Sequence, residues 1–585
     1  RPAHREEGGR KSFERCPMRA GASFRVLACV SATAFALTGC GGSTTTGTAL
    51  APPDKQVYRA NDVTEPNSYD PSQETYTYEA AVGRNAFEPL LKPKADLSDV
   101  LPAAAQSYSV SSDGLTYTFH LQPAAKWSDG QPVTAADFVY GWQRLLNPAL
   151  AAGYVDPFYD NTVAGGQNYG SVDATSASAI DAYLQNLGLS APDSHTFVVK
   201  LQHSAPYFKW VATLWVGAPI RKDVVEKAAG GSFPSSDTTK AEIWANNVST
   251  IVGNGAFKIS EIVAKDHVTL VPNPNYWGGA PKIQQLVLEF IADGNTAFSK
   301  YQTGALDQIN VPQADVTYVR GDPVLSKQAY LWPELSVFWM TYNWKVSPLD
   351  NRNVRLALAK SIDRDKLAND VLHGTEKATL SYIPKGMTGY DESNQTQSFD
   401  VAAAKADLAA SGVSAAELSK LKLLTRNTTG SKLVNQFIAD QWNTNLGVNI
   451  QLDVIDSKTV TTKIRKGQFD IYGADGWGAD YPDQQDWLDV YTSAACHSLN
   501  WGCPVLPGYD ELVQKADSEL DQTQRNKDYA AARKILIDSA AIGILYQQYE
   551  YDLVKPYIGN LQVTPFDDEW LPGDQNYQSA YIRQH

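Results

Sequence analysis

The 585-residue chain predicts a mixed α/β fold, on three observations. Short alternating apolar runs bounded by turn residues read as strands. Segments with apolar residues at helical spacing alternate with them. Hydrophobic residues make up 43% and charged residues 19%, enough to bury several cores and to exclude wholesale disorder. At roughly 150 residues per domain, the length implies more than one domain. Periodicity alone leaves the topology open.

The first segment reads as an export address. The first Met is Met18; Arg19 and Arg25 follow, then an apolar run from Val26 to Leu37, then Leu37-Thr38-Gly39-Cys40. This is the order of a signal peptide: a basic n-region, a short h-region and small residues before a cysteine. The rival is a transmembrane anchor, for which the run is too short. Residues 1–17 precede the natural start of this signal. The leader over 1–39 holds seven Lys/Arg and three Glu, so its removal takes the formal charge from −14 to −18. Residues 40–53, rich in Gly, Thr and Pro, read as a flexible tether.

The remaining elements follow in order. Strands are expected at Thr116–Leu121, Thr196–Leu201 and Lys282–Phe290. Between the first two, Ser128-Asp129-Gly130 marks a turn, and Thr134 with Asp137 three positions on caps a helix in the manner of a capping box. Asn353–Ile362 places Val354, Leu358 and Ile362 on one helical face, with Asp350 or Asn351 as the cap. Tyr509–Ala540 reads as two helices interrupted near Asp521.

Charge and chemistry exclude several functions. A net charge of −14 makes nucleic acid a poor partner. No phosphate-binding loop, zinc-protease His-Glu-x-x-His or Gly-x-Ser-x-Gly elbow is present. Eight scattered histidines suggest no metal cluster, and no cofactor is implied. Cys16 and Cys29 leave with the leader. Cys496 and Cys503 remain in a turn-rich loop, where an exported protein is expected to form a disulfide; a Cys/His metal site with His497 is the rival. With 62 aromatic residues, the composition suits a cleft walled by flat side chains as well as large cores.

Lys126-Trp127-Ser128-Asp129-Gly130-Gln131-Pro132-Val133-Thr134-Ala135-Ala136-Asp137-Phe138 closely resembles the signature of the family 5 bacterial extracellular solute-binding proteins, which include the oligopeptide- and dipeptide-binding components of ABC importers. Asn254–Lys258, Asn273–Trp277, Asp350–Arg355 and Phe469–Tyr481 are similar to that family's later segments, in its order. Leu37-Thr38-Gly39-Cys40 resembles the bacterial lipobox, whose cysteine is acylated; the resemblance implies lipidation of Cys40 and retention at the outer face of the cell membrane.

The resemblance implies a two-lobed periplasmic-binding-protein-like fold with three domains: 54–90, 204–335 and 548–585 as the first lobe, 91–203 as an inserted domain, and 336–547 as the second lobe. The crossings near 335 and 548 would form the hinge. It further implies a monomeric receptor without enzymatic turnover, which binds short peptides and delivers them to an ABC permease. The same fold could instead take an oligosaccharide or metal chelate, and a secreted hydrolase is a more distant rival.

The site residues are implied one by one. Asp480, in Gly476-Trp477-Gly478-Ala479-Asp480-Tyr481, matches the aspartate that pairs with a peptide's α-ammonium. Trp477 would wall a side-chain pocket, and Gly476 and Gly478 would let ligand backbone approach as an added strand. Tyr154 matches a cleft-lining tyrosine. Glu74 stands one position before the family's acidic residue, which falls on Thr75. The family's basic positions fall on Ala474, Ile464 and Leu372, and a histidine falls near Lys432; Arg465 and Lys432 are the cations left to receive a ligand carboxylate.

Overall fold

Two long strands organise the chain. Ala329–Tyr342 and Ile542–Val554 run antiparallel through the centre of an eleven-stranded sheet. Ile471–Gly478, Lys422–Arg426 and Gln451–Ile455 extend the sheet on one side. Gln308–Asn310, Val57–Asn61, Gln285–Glu289, His267–Pro272 and Phe257–Val263 extend it on the other, and Lys377–Ala378 pairs separately with the second long strand. Most of Ile542–Val554 is buried, as expected of a strand covered on both faces. This computed structural model describes residues 49–585 except Tyr76, 156–161, Phe233 and Glu569, and the side chains of Thr77 and Tyr78. The expected leader, Cys40 and most of the tether lie outside the described residues. Among the described residues no helix is long and apolar enough to cross a membrane.

The two long strands lose register at two places, between Phe338 and Trp339, which pair with Tyr546 and Ile544, and between Pro333 and Val337. Pro333 pairs with Tyr549, but Val337 pairs with Gln547, so residues 334–336 face Gln548 alone. On one side of this bulge the strands carry Gln308–Asn310 and the neighbours built on Val57–Asn61; on the other they carry Ile471–Gly478. The result is a two-lobed α/β molecule whose sheet passes from lobe to lobe through two strands.

A separate four-stranded antiparallel sheet, in the order Ala105–Val110, Thr116–Leu121, Thr196–Lys200 and Leu189–Asp193, packs against the helix Ala135–Leu145. Tyr117, Phe119 and Leu121 alternate inward, as their period-2 spacing requires. The expected capping box is present: the Thr134 N–H donates to the Asp137 carboxylate at 2.8 Å. Asn351, not Asp350, caps Arg352–Lys360. Asp521 caps Gln522–Asp538 and so separates it from Tyr509–Ser518.

One expectation changes, and the expected disulfide is present. The stretch read as tether is tied down from residue 49: Leu50 bridges to Arg583, and the Ala51 N–H donates to the Ile582 carbonyl at 2.9 Å. Gln56 adds side-chain bonds to Ala51 and Ile582, which supply the partners that a free linker would lack. Cys496 and Cys503 form a disulfide, which uses both sulfurs that a metal site with His497 needs as thiolates.

Candidate functional site

Ile471–Gly478 is paired on one side along most of its length but not on the other. Its first edge bonds to Ser336–Tyr342. On its second edge only Ile471 and Tyr472 pair, with Leu423 and Leu424. Beyond Tyr472 this edge carries no ladder partner among the described residues, and residues 474–478 line a cleft of about 360 Å³. Glu334, Leu335, Ser336, Phe338, Arg426 and Tyr472 continue the lining. Arg84, Tyr154, Trp215, Gln548, Phe566 and Asp567 complete it.

Small residues shape the open edge. A Cβ on Gly476 would lie 2.9 Å from the Val337 carbonyl oxygen, and one on Gly478 would lie 2.8 Å from Ser336 Oγ. Glycine therefore lets this strand sit tight against Ser336–Phe338 while its other edge stays open. Trp339 pairs with Asp475 but Thr341 with Tyr472, so Gly473 and Ala474 together oppose Met340. Ala474 takes φ +52°, in the left-handed region. Such a bulge re-aims the residues after it.

Asp480 lies just past the strand, partly buried, at the junction of the lobes. The Tyr154 hydroxyl donates to its carboxylate across the cleft. Its own backbone N–H donates to the Asp486 carboxylate at 3.0 Å, to which the Trp477 indole N–H also points at 3.4 Å. Burial raises the Asp480 carboxyl to about 7. Burial first, and then the charge of Asp480, push Asp486 well above the usual carboxylate range. One Asp486 oxygen is buried without a hydrogen-bond partner. Two neighbouring carboxyls in a desolvated setting are an electrostatic deficit that a cation removes. Next to them, the buried Tyr481 ring stacks on Tyr207 with centroids 6.1 Å apart. Asp475 accepts from the Thr341 hydroxyl at 2.5 Å, and burial raises it to about 6.

The structure brings Asp480, Trp477, Gly476, Gly478 and Tyr154 to one cleft. It does not bring the three remaining candidates there. Glu74 is buried beneath the helix Thr77–Ala86: its carboxylate lies where a side chain on Gly83 would be, and one oxygen has no partner. Arg465 ends the helix Ser457–Arg465, whose Val460 and Ile464 take the inward face and leave the arginine exposed. Lys432 is exposed and donates to Asn427 Oδ1 at 3.1 Å. The cleft's own arginines are Arg84 and Arg426, which motif order did not single out. Each reaches the cleft through sheet and lobe packing rather than through spacing along the chain.

The fold and the cleft define a two-lobed binding protein. The family model for "Bacterial extracellular solute-binding proteins, family 5 Middle" matches residues 99–497. The chain belongs to that family. It is 30% identical over 528 residues to the periplasmic murein peptide-binding protein MppA of Escherichia coli, covering 89% of this chain and 93% of that protein. It is 31% identical over 519 residues to the periplasmic oligopeptide-binding protein OppA of Salmonella typhimurium, covering 86% and 90%. The solved structure of the E. coli murein tripeptide binding protein superposes with a TM-score of 0.74 at 28% identity, covering 92% of this chain and all of that one. The Haemophilus influenzae OppA complex with the peptide RPPGFSPFR superposes with a TM-score of 0.71 at 27% identity, covering 92% and 100%.

Proposed function

We propose that this protein is an exported, lipid-anchored receptor that binds short peptides by their free amino end and passes them to an ABC permease. The observation that carries the reading is Asp480: a desolvated carboxyl beside a second carboxyl, at the end of an open strand edge, facing a tyrosine of the opposite lobe. An α-ammonium supplies the missing positive charge there. The unpaired edge over 474–478 offers backbone groups to an extended ligand, so binding depends little on side-chain identity. Trp477, Trp215, Phe338 and Phe566 wall the cleft around that path. Peptide binding by MppA and the OppA proteins supports the peptide over other solutes.

The bulge at 334–336 opposite Gln548 serves as the hinge between 336–547 and the rest of the chain, with 91–203 riding on the first lobe. A ligand ammonium removes the repulsion between Asp480 and Asp486 and holds the lobes across Tyr154. Cys40 carries the lipid, in keeping with the leader that precedes it and the strongly acidic mature chain.

The test is calorimetry of the fragment from residue 49 with free-amine di- to pentapeptides, the same peptides N-acetylated, chito-oligosaccharides and deoxycholate. The last is included because the chain is 29% identical to the "probable deoxycholate-binding periplasmic protein YgiS" of E. coli over 92% of its length. Free-amine peptides bind and acetylation weakens them strongly. Equal affinity for acetylated and free peptides overturns the role of Asp480. Binding only to the saccharide or the bile acid overturns the peptide reading.

A further inference from the structure

The chain enters the described fold at a basic pole. The Ala49 carbonyl accepts from the Gln584 N–H at 3.0 Å, the Ala51 N–H donates to the Ile582 carbonyl at 2.9 Å, and Leu50 bridges to Arg583 between them. Beside this junction lies a cavity of about 650 Å³ that shares no residue with the peptide cleft and is lined by Lys55, Arg59, Tyr557 and His585. Arg59, on the strand Val57–Asn61, is half-buried. Its guanidinium lies near enough to Asp307 to stabilise that carboxylate, but it makes no ion pair or hydrogen bond among the described residues. The Asp307 carboxylate is already held, by the Tyr557 hydroxyl at 2.5 Å and the Arg59 backbone N–H at 2.8 Å. Lys282 and Arg583 continue the charge: their cationic groups lie 4.8 and 5.8 Å from the Tyr581 ring centroid, next to Ile582 of the cavity wall. The acids of the cavity are Asp307, buried, and Asp54, exposed. Leu50, Pro52 and Pro53 are exposed at the same pole, Leu50 to 46%.

We propose that this pole rests on anionic lipid: a headgroup phosphate enters the Arg59 cavity, Lys55, Lys282 and Arg583 meet neighbouring headgroups, and Leu50 dips into the interface. The proposal rests on the lipid-anchored reading above and adds which face meets the membrane. Cys40 is nine residues before Ala49, and a chain of that length reaches at most about 32 Å when fully extended. An acyl group on Cys40 therefore limits how far this pole can stand from the headgroups. The chain without residues 1–39 has a formal charge of −18, so an anionic leaflet repels it as a whole. Screening decides between the two effects. With a Debye length of about 8 Å in physiological salt, the lipid senses the charges of the nearest face and little of the rest. Cations with an exposed apolar residue among them suit a membrane interface. The guanidinium of Arg59, with its donors free, matches two oxygens of a phosphate.

The experiment uses the mature chain from residue 40, which contains every described residue. Cys496 and Cys503 are held in their disulfide, so Cys40 is its free thiol. That thiol is coupled to a maleimide lipid in vesicles of phosphatidylcholine, alone or with about a quarter phosphatidylglycerol. Acetylation of Lys55 and Lys282 is followed by mass spectrometry, with the exposed Lys432 as the internal reference. Phosphatidylglycerol slows both pole lysines about five- to tenfold relative to Lys432, the scale of one headgroup contact per lysine. In about 1 M salt, with a Debye length of ~3 Å, the difference disappears. The double variant Arg59→Gln, Arg583→Gln loses the protection and keeps its peptide affinity. Equal labelling in the two kinds of vesicle overturns the proposal, and that comparison requires no variant to fold. So does a double variant that stays protected. Equal protection by free glycerol phosphate in solution also overturns it, because the cavity then belongs to a soluble phosphate. The maleimide supplies the tether, so these outcomes are independent of whether cells acylate Cys40. An unacylated Cys40 in the native protein, read from its mass, removes the anchor reading and leaves the vesicle result standing.

Discussion

Arg84 and Arg426 line the same cleft from opposite lobes, yet they do different work. Arg84 is bonded to the buried Asp574 and enclosed by two aromatic faces. Arg426 touches one tyrosine and has no acid partner among the described residues. The first cation belongs to the fold, because its charge is already balanced in a dry setting. The second lines the cleft with its Nε bonded to Tyr472 and no ion pair among the described residues. Charge near a cleft therefore says little about ligands until its protein partners have been counted.

The largest expected effect tests the first half of that contrast. Arg84→Met leaves Asp574 buried without its counter-ion among the carboxyls of Asp62, Asp567 and Asp568. It costs about 3–5 kcal/mol of stability by chemical denaturation. A loss below about 1 kcal/mol makes Arg84 as free as Arg426 and removes the contrast.

Next comes Asp480→Asn, which removes the carboxylate but keeps its shape. Affinity for free-amine peptides falls by about 2–5 kcal/mol, while N-acetyl peptides change little. Similar losses for both kinds of peptide in calorimetry show that the residue shapes the cleft without pairing to an amine.

The third expectation concerns pH. Asp480 and Asp475 are raised above ordinary carboxylate values, to about 7 and about 6, by burial. A raised carboxyl favours the folded state when protonated. The free protein thus has that stability below about pH 4, the unfolded value, and loses it as pH rises through 6 to 7. Peptide affinity runs the other way, since an ammonium needs Asp480 ionised, and it strengthens across the same interval. Unfolding curves at pH 5 and 8, with and without peptide, check both signs. A free protein whose stability rises over that interval contradicts the burial of these carboxyls.

The smallest effect is expected at the cations outside the cleft. Arg465→Ala and Lys432→Ala each change peptide affinity by less than about 0.5 kcal/mol, as surface substitutions usually do. A tenfold loss at either places a ligand carboxylate there.

Local signals in the sequence were read well wherever the cause was local. Thr134 and Asp137 cap the same turn they mark, and Asp521 separates two helices by bonding its own neighbours. The alternation in Thr116–Leu121 survives because a pleated strand must place every second side chain inward. The Gly476–Asp480 segment was legible because its residues are adjacent in the chain and line the cleft together. Arg465 and Lys432 lie outside the cleft for the opposite reason: each sits on a helix whose phase turns it outward.

The sequence alone determined the α/β class, the family, the capped helices and the Gly476–Asp480 segment that lines the cleft, because each is written in neighbouring residues or in their order. Only the tertiary structure decided which cations face the ligand, that one edge of Ile471–Gly478 stays open, and where the long strands slip register. Those properties depend on residues hundreds of positions apart meeting in one sheet, and no local pattern records which partners a side chain finds there.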